Sequence, residues 1–305
     1  MSDKEQLWSL AEEAMRAFAP FYREEMREAI QDSGAPDIWF GLNMAHGSDP
    51  EPLTVERFQA LAPYTAQERL IAMLEELAQL ELLERVREDA YRLTGLGRET
   101  VEAIFGAAHR GLGKAEPLPS DEMAQLNTLL FRLVEATLES PEPEEKWAIT
   151  YSRWTDPGKD APGSAKTDQY LTDLYRFRDD VHIAAWKPYD VSGQAWETLT
   201  FLWRDDAKTA EELVEKLAFR GYSVEAYTEA LVDLVNRGWV EETSDGYQVT
   251  EAGQALRQQA EEATNRYFFA SWACLSDVER VQLHDLLARL RDNLQGMADN
   301  NNDTT

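Results

Sequence analysis

The sequence is poor in cysteine, in histidine and in positive charge. One Cys in 305 residues excludes an internal disulfide, and a chain without disulfides is typical of a reducing compartment. The four His residues are scattered and lack the HxxxH or HxH spacing of a metal site. No glycine-rich loop has the spacing that cradles phosphate. We therefore expect no metal, no cofactor and no enzymatic activity.

Long apolar runs are also lacking. The most apolar stretch, residues 267–275, is far too short to span a bilayer. The N-terminus, MSDKEQLW, is acidic and polar, whereas a secretory signal is basic and then apolar. These features predict a cytoplasmic protein with no membrane partner.

Two stretches of the chain share one pattern. Residues 83–98 read LERVREDAYRLTGLGR, and residues 240–254 read VEETSDGYQVTEAGQ. In each, an apolar run ends in Glu, a charged turn follows, and an aromatic-x-apolar-Thr strand leads into a helix start marked by Gly. The matching pairs are Tyr91 with Tyr247, Thr94 with Thr250 and Gly97 with Gly253. The pattern predicts two β-hairpin wings near 83–94 and 239–250, each followed by a helix.

Helix signals precede each wing. Thr209 and Glu212 have the spacing of a capping box, and Thr65 and Glu68 have the same spacing. Ser223 is placed to cap the helix that follows a turn at 221. Helix, turn, helix and wing therefore occur twice. We predict a mainly α fold with two winged helix-turn-helix units, each with a small β-hairpin, plus flanking helices.

Composition shifts divide the chain further. Proline, glycine and charge mark loops at 139–146 and 155–166 and a linker at 111–120. A helix with a break at Pro20 is expected over 4–33. The expected segments are an N-terminal helical segment (1–35), a first winged-helix unit (36–113), a linker and helix (114–167), a second winged-helix unit with flanking helices (168–295) and a disordered tail (296–305).

The wing-to-helix strings resemble a known family. DGYQVTEAG at 245–253 is similar to the corresponding signature of the MarR-type bacterial transcriptional regulators. Residues 175–294 also resemble a group of winged-helix proteins of high-GC bacteria, through DDVHIAAW at 179–186, RGW at 237–239 and WACL at 272–275. The resemblance implies a tandem winged-helix protein of the transcription-regulator type.

Charge argues against ordinary DNA binding. Acidic residues number 57 against 30 basic ones, for a formal net charge of −27, and DNA affinity depends on cations that neutralise phosphates. The second unit's recognition helix, 224–236, contains no Lys or Arg. If the protein contacts DNA, the first unit is expected to do so, through Arg69, Arg85, Arg87, Arg92 and Arg98. Arg85 and Arg87 alternate along the wing strand, so they are expected to share one face. The alternative interpretation of these arginines is a solvated, salt-bridged face.

Aromatic residues crowd the second half of the chain. Nine Trp are present. One interpretation is a core that joins the second unit to its flanking helices. The other is an apolar effector pocket between the helix at 168–186 and residues 267–275, with Tyr175, Trp186, Tyr267 and Trp272 converging. Tyr175 and Trp186 are expected on one face of that helix, three turns apart. The polar groups that would orient a ligand there include Arg178 and His182.

Two functions remain open from the sequence. The first is a winged-helix, transcription-regulator-like protein that binds DNA weakly and responds to a ligand. The second is a winged-helix interaction module that has lost DNA binding and uses acidic faces on a basic protein partner. Because one chain carries both units, either a monomeric pseudo-dimer or a homodimer is expected.

Overall fold

The computed structural model describes residues 3–34 and 38–302, and it is mainly helical with two small antiparallel sheets. The helices are α1 (Asp3–Asp32), α2 (Trp39–Ser48), α3 (Val55–Leu61), α4 (Gln67–Gln79), α5 (Gly95–Leu112), α6 (Ser120–Glu139), α7 (Trp147–Arg153), α8 (Gly163–Trp186), α9 (Gly193–Trp203), α10 (Ala210–Lys216), α11 (Val224–Asn236), α12 (Glu251–Ala270) and α13 (Asp277–Asn302). The strands are β1 (Leu53–Thr54), β2 (Leu83–Arg87), β3 (Ala90–Leu93), β4 (Val240–Thr243) and β5 (Gly246–Val249). The predicted fold class is confirmed.

The first winged-helix unit consists of α2 to α5 with β1, β2 and β3. Its helix–turn–helix is α3 and α4, and its wing is the antiparallel pair β2 and β3, with β1 added on the other side of β3. The unit has its own hydrophobic core, in which Phe58, Leu74 and Tyr91 are fully buried. These residues come from α3, α4 and the wing, so burial of their apolar faces holds the three elements together.

The second winged-helix unit consists of α9 to α12 with β4 and β5. Its helix–turn–helix is α10 and α11, and its wing is the pair β4 and β5. The backbone carbonyl of Lys208 accepts the Tyr247 N–H at 2.9 Å, in the position that β1 occupies in the first unit. A separate core contains Trp196, Leu213 and Leu231.

The matching threonines of the sequence repeat make equivalent hydrogen bonds in the two units. Thr94 caps α5 by accepting the Gly97 N–H at 2.9 Å. Thr250 caps α12 by accepting the Gly253 N–H at 3.1 Å. Each threonine hydroxyl also donates to a carbonyl just before its wing, on Glu81 in the first unit and on Gly238 in the second. These bonds close the hairpin onto the following helix.

The remaining helices form a central helical body, made of α1, α6, α8 and α13 with adjoining parts of α5, α7 and α12. α1 packs along α5 and α13, and α8 packs against α6, α7 and α12. Its core buries Phe18, Leu133, Phe177 and Phe268. The molecule therefore has three hydrophobic clusters, one in each winged-helix unit and one in the helical body.

Two sequence expectations for the chain ends are wrong. α1 is not broken at Pro20 but continues through it, because contacts with α5 and α13 on its two sides compensate for the backbone hydrogen bond that proline cannot make. The expected disordered tail begins at Gly296, yet α13 continues to Asn302, and residues 303–305 lie outside the described residues.

The helix-start predictions have mixed outcomes. Thr209 caps α10 through the Glu212 N–H at 3.2 Å, and Ser223 caps α11 through the Ala226 N–H at 3.2 Å. The capping box at Thr65 is wrong: Ala66 is the residue that precedes α4, and no side chain caps it. The reason lies in the tertiary packing, because a distant part of the chain covers the start of α4.

Candidate functional site

The helix–turn–helix turns of the two units face each other. The Ala66 N–H, at the start of α4, donates to the Arg220 carbonyl at 2.9 Å, and Arg220 lies in the turn between α10 and α11. The Arg220 guanidinium also lies 5.4 Å from the ring centre of Tyr64. Gly221 packs against Arg69, because a Cβ at position 221 would lie 2.8 Å from the Arg69 Cβ. The second unit therefore covers the start of α4.

This arrangement changes what α4 can do. In helix-turn-helix proteins that read DNA, the N-terminal residues of the recognition helix contact base edges. Here Ala66 and Arg69 contact the second unit and Arg69 is half-buried, whereas Gln67 and Glu68 between them are exposed. Arg69 is therefore less accessible than a recognition-helix arginine that faces DNA would be. The outward face of α4 carries the exposed carboxylates of Glu68, Glu75 and Glu76, which would repel a duplex.

The recognition helix of the second unit is exposed but acidic. Glu225 and Glu229 lie on its outer face, and Asp233 pairs with Arg237 at 2.8 Å. Val232 is also exposed. α11 contains no Lys or Arg, so its outer surface offers no phosphate contact.

The first wing differs from the geometry that alternation predicts. We expected Arg85 and Arg87 to share one face of a regular strand. A β-bulge separates them: Arg85 pairs with Tyr91, whereas Arg87 pairs with Ala90, the residue just before Tyr91 in β3. Because a bulge inserts one extra residue, strict alternation does not hold across it, and the shared-face prediction is wrong.

The arginines of the first wing are exposed, and none of them forms a short ion pair with a carboxylate. The Arg87 side chain is 66% exposed, and its nearest carboxylate, that of Asp89, is 3.9 Å away. Arg92 lies 3.5 Å from Glu84. Arg85 donates to backbone carbonyls of the hairpin turn, so its charge is not neutralised by these bonds. The three cations can therefore reach a phosphate without losing a strong ion pair.

Arg98, at the start of α5, has a strong partner. Its Nε and Nη2 donate to the two carboxylate oxygens of Asp49, both at 2.7 Å. The Arg98 side-chain bond holds the pKa of the Asp49 carboxyl below its usual range. A bidentate pair of this kind is strong, so Arg98 is the least available of the proposed DNA contacts on the first unit.

The predicted convergence of four aromatic residues is wrong. Trp186 lies in the core of the second unit, whereas Trp272 lies in the core of the helical body. Tyr267 packs against the helical body, and Tyr175 is partly exposed on α8. The helix periodicity that placed Tyr175 and Trp186 on one face of α8 carries no information about which neighbour each part of the helix meets.

The polar members of the predicted pocket are engaged in packing. Arg178 donates to the side chain of Asn265 at 3.1 Å, and its guanidinium lies 5.2 Å from the ring centre of Phe268. His182 lies between α12 and α9, with Nδ1 3.3 Å from the Thr264 hydroxyl. The Trp196 N–H donates to His182 Nε2 at 3.3 Å. A ligand pocket enclosed by the six predicted residues is therefore absent from the described part of the chain.

A cavity does exist beside α8, between the first unit and the helical body. Its volume is about 630 Å³, which is within the usual range for small-molecule sites. Phe40 and Tyr64 of the first unit form one side, and Trp147 and Asp179 of the helical body form another. Of the predicted effector residues, His182 and Tyr267 contribute to its wall. We refer to this space as the cleft.

Asp180, on α8, holds the start of α7 in place on the helical-body side of the cleft. Its carboxylate accepts the backbone N–H of Ala148 at 2.7 Å and that of Ile149 at 3.0 Å, so it caps α7 from α8. Burial raises the pKa of the Asp180 carboxyl to about 7, against the opposing effect of these hydrogen bonds. Sequence reasoning missed this role, because the partners are about 30 residues apart and no local pattern joins them.

His182 is held neutral by its surroundings. Burial lowers the pKa of His182 to about 4, and the neighbouring cations of Arg257, Arg178 and Arg204 act in the same direction, against the carboxylate of Glu261. Because the Trp196 N–H needs an acceptor, Nε2 carries no proton and Nδ1 carries it.

We expect this histidine to make stability fall as the pH is lowered. The folded-state pKa is depressed from 6.5 to about 4, so the contribution of neutral His182 is full above pH 6.5 and is lost as the pH falls towards 4. The stability difference between the wild type and His182→Asn, measured by urea unfolding, should therefore shrink between these pH values. An imidazole NMR titration with a midpoint above 6 would contradict the assignment.

The described residues contain neither a membrane-spanning helix nor a metal-binding cluster. No helix in residues 3–34 or 38–302 is long and apolar enough to cross a membrane. Within the same residues, no group of three or more His, Cys, Asp or Glu side chains is arranged to hold a metal ion.

Comparison with known proteins identifies one relationship. A model described as a helix-turn-helix family matches residues 168–298, which enclose the whole second unit and most of α8 and α13. No curated protein and no solved structure matches the chain. The C-terminal part of the chain therefore carries a helix-turn-helix domain, in which α10 and α11 are the two characteristic helices.

Proposed function

We propose that the protein is a winged-helix, transcription-regulator-like protein that contacts DNA weakly through its first wing. The observation that carries this proposal is the exposure of Arg85, Arg87 and Arg92 on the first hairpin, where the nearest carboxylate contact is the 3.5 Å pair of Arg92 with Glu84. The helix-turn-helix match and the resemblance of the second wing to MarR-type regulators support the regulatory class.

The same surfaces explain why the affinity should be low. α4 is covered at its start and α11 is acidic, so neither recognition helix provides the usual base contacts. The net charge of −27 adds repulsion at long range. Binding through a wing alone rests on phosphate contacts, which give little sequence discrimination.

In this proposal one chain supplies both units, at residues 36–113 and 168–295, that a MarR-type homodimer supplies from two chains. The two helix–turn–helix turns already contact each other within the chain, so a monomer is sufficient for the arrangement. We further propose that the protein is cytoplasmic and that it acts as a binding protein without catalysis.

The wing assignment predicts a defined salt dependence. Arg87→Ala should lower the slope of log affinity against log salt by about one unit, and Arg85→Ala with Arg87→Ala by about two, if each contacts one phosphate. The measurement is fluorescence anisotropy with a random duplex at several salt concentrations. Arg87 is the cleaner of the two changes, because Arg85 also bonds to the hairpin turn.

Arg16→Ala is the matched control, since Arg16 is an exposed arginine on α1 and should leave the slope unchanged. Loss of binding on changing α11, with unaltered binding in the wing variants, would reverse the assignment.

A second function has its own supporting observation. The outer face of α11 combines Glu225 and Glu229 with the exposed apolar side chains of Val232 and Val235. Such a face suits a basic protein partner with an apolar contact, since charge complementarity steers association. Absence of duplex binding even at low salt would favour this interaction module over the DNA-contacting regulator.

A further inference from the structure

The cleft between the first unit and the helical body has aromatic walls that other groups do not fully cover. Phe40, on α2, is 41% exposed, and Trp147, at the start of α7, is 37% exposed. Both face the cleft, together with Tyr64 and Tyr151. Large aromatic side chains left partly uncovered inside a cavity are typical of a ligand site, since such surface is usually buried.

A cation already stacks on one of these walls. The guanidinium of Arg57, on α3, lies 5.0 Å from the ring centre of Trp147 and 5.8 Å from that of Tyr151. These distances are within the range of cation–π attraction, in which a positive charge lies over the negative face of an aromatic ring. The aromatic wall of the cleft is therefore suited to positive charge.

The cations that line the cleft are already engaged. Each of the three has a carboxylate partner: Arg176 with Asp179 at 3.4 Å, Lys187 with Glu145 at 3.3 Å and Arg220 with Glu197 at 2.6 Å. An anionic ligand would have to compete with these partners, and no lining cation is left over to receive it.

The carboxylates that line the cleft are in excess. Glu142 and Glu144, in the loop before α7, form no ion pair within residues 3–34 and 38–302. The Asp179 side chain is 44% exposed; it pairs with Arg176 at 3.4 Å, and the more distant Arg178 guanidinium also acts on it. Asp180 uses its two oxygens on backbone N–H groups, forms no ion pair within the described residues, and has the Lys146 ammonium in its vicinity. The cleft is thus lined by five carboxylates and three cations, and the Arg57 guanidinium lies against its aromatic wall.

The geometry points to the cleft as a binding site for a hydrophobic organic cation that carries aromatic rings. The aromatic walls of Trp147 and Phe40 would contact the rings, and the carboxylate of Asp179 would balance the charge. A ligand there would touch the first unit and the helical body together. The inference is independent of DNA binding, because the cleft and the first wing share no residue.

Two probes of similar size and opposite charge test this site. We expect the full-length protein to bind tetraphenylphosphonium at least about tenfold more tightly than tetraphenylborate, in equilibrium dialysis at moderate salt. Asp179→Asn should weaken phosphonium binding by about tenfold, and Trp147→Ala by a similar factor. Asp179 is partly exposed, so its isosteric replacement should leave folding intact.

Asp285→Asn is the matched control, because Asp285 is an exposed carboxylate on α13, which contributes no residue to the cleft. This variant should bind phosphonium as the wild type does. Equal or tighter binding of the borate, or phosphonium binding that is absent from the wild type or unchanged in Asp179→Asn, would overturn the inference. None of these results bears on the wing, whose test uses DNA alone.

Discussion

Replacing Trp186 by Ala is expected to destabilise the protein by about 3–5 kcal/mol, as large-to-small changes of buried aromatic residues do. Trp186 is 4% exposed in the core of the second unit. Its ring stacks on that of Trp196, with centroids 5.8 Å apart and planes 17° from parallel. Its indole N–H donates to the Tyr64 hydroxyl at 2.8 Å, which joins the second unit to the first. Urea unfolding followed by circular dichroism measures the loss.

One further variant separates the packing contribution of Trp186 from its hydrogen bond, and a second serves as a surface control. Trp186→Phe keeps most of the packing and removes the indole N–H, so about 0.5–1.5 kcal/mol should be lost through the missing hydrogen bond to Tyr64. Trp154→Ala is the surface control, because Trp154 is half exposed, and it should change stability little. A loss below 1 kcal/mol in Trp186→Ala would show that this ring does not join the two units.

The glycines of the repeat should be as intolerant of a methyl group in one unit as in the other. A Cβ at Gly97 would lie 2.2 Å from the Leu82 carbonyl oxygen, and a Cβ at Gly253 would lie 2.1 Å from the Trp239 carbonyl oxygen. Both are backbone atoms that cannot rotate away, so the wing and the following helix must separate. We expect Gly97→Ala and Gly253→Ala each to cost about 1–3 kcal/mol.

Gly95 provides the matched control within the same helix turn. A Cβ at Gly95 meets nothing within 4 Å. Gly95→Ala should therefore be neutral, or stabilising by up to about 1 kcal/mol, because alanine has the higher helix propensity. Thermal unfolding of the three variants side by side measures the contrast. Equal effects at Gly95 and Gly97 would show that close backbone contact is not the reason for the glycine.

The local elements of this fold could be predicted because their signals are local. Thr94 and Thr250 each cap a helix three residues before the glycine that the cap reaches, so the motif is complete within four residues of sequence. The acidic character of α11 was likewise evident from composition, since no partner is needed to count its charges. Short-range hydrogen bonds and helix periodicity determine these features before any packing occurs.

The features that the sequence predicted wrongly or could not show depend on distant partners. Thr65 lacks its expected capping role because Arg220, 155 residues away, covers the start of α4. The position of Arg69 in the sequence matches that of a DNA-facing cation, but in the structure Gly221 packs against its side chain. The bulge between Arg85 and Arg87 depends on how β2 pairs with β3. None of these contacts can be predicted from the spacing of neighbouring residues in the sequence.

The sequence by itself determined two helix–turn–helix–wing units, the threonine and glycine positions that join each wing to the next helix, and the acidic surface. The tertiary structure alone decided how the units meet, which recognition helix is covered and where the cleft lies. The reason is physical: caps, turns and periodicity act over a few residues and are encoded in order along the chain. The contact between Ala66 and Arg220 and the walls of the cleft depend on burial between distant segments, and such burial is decided only when the three cores pack together.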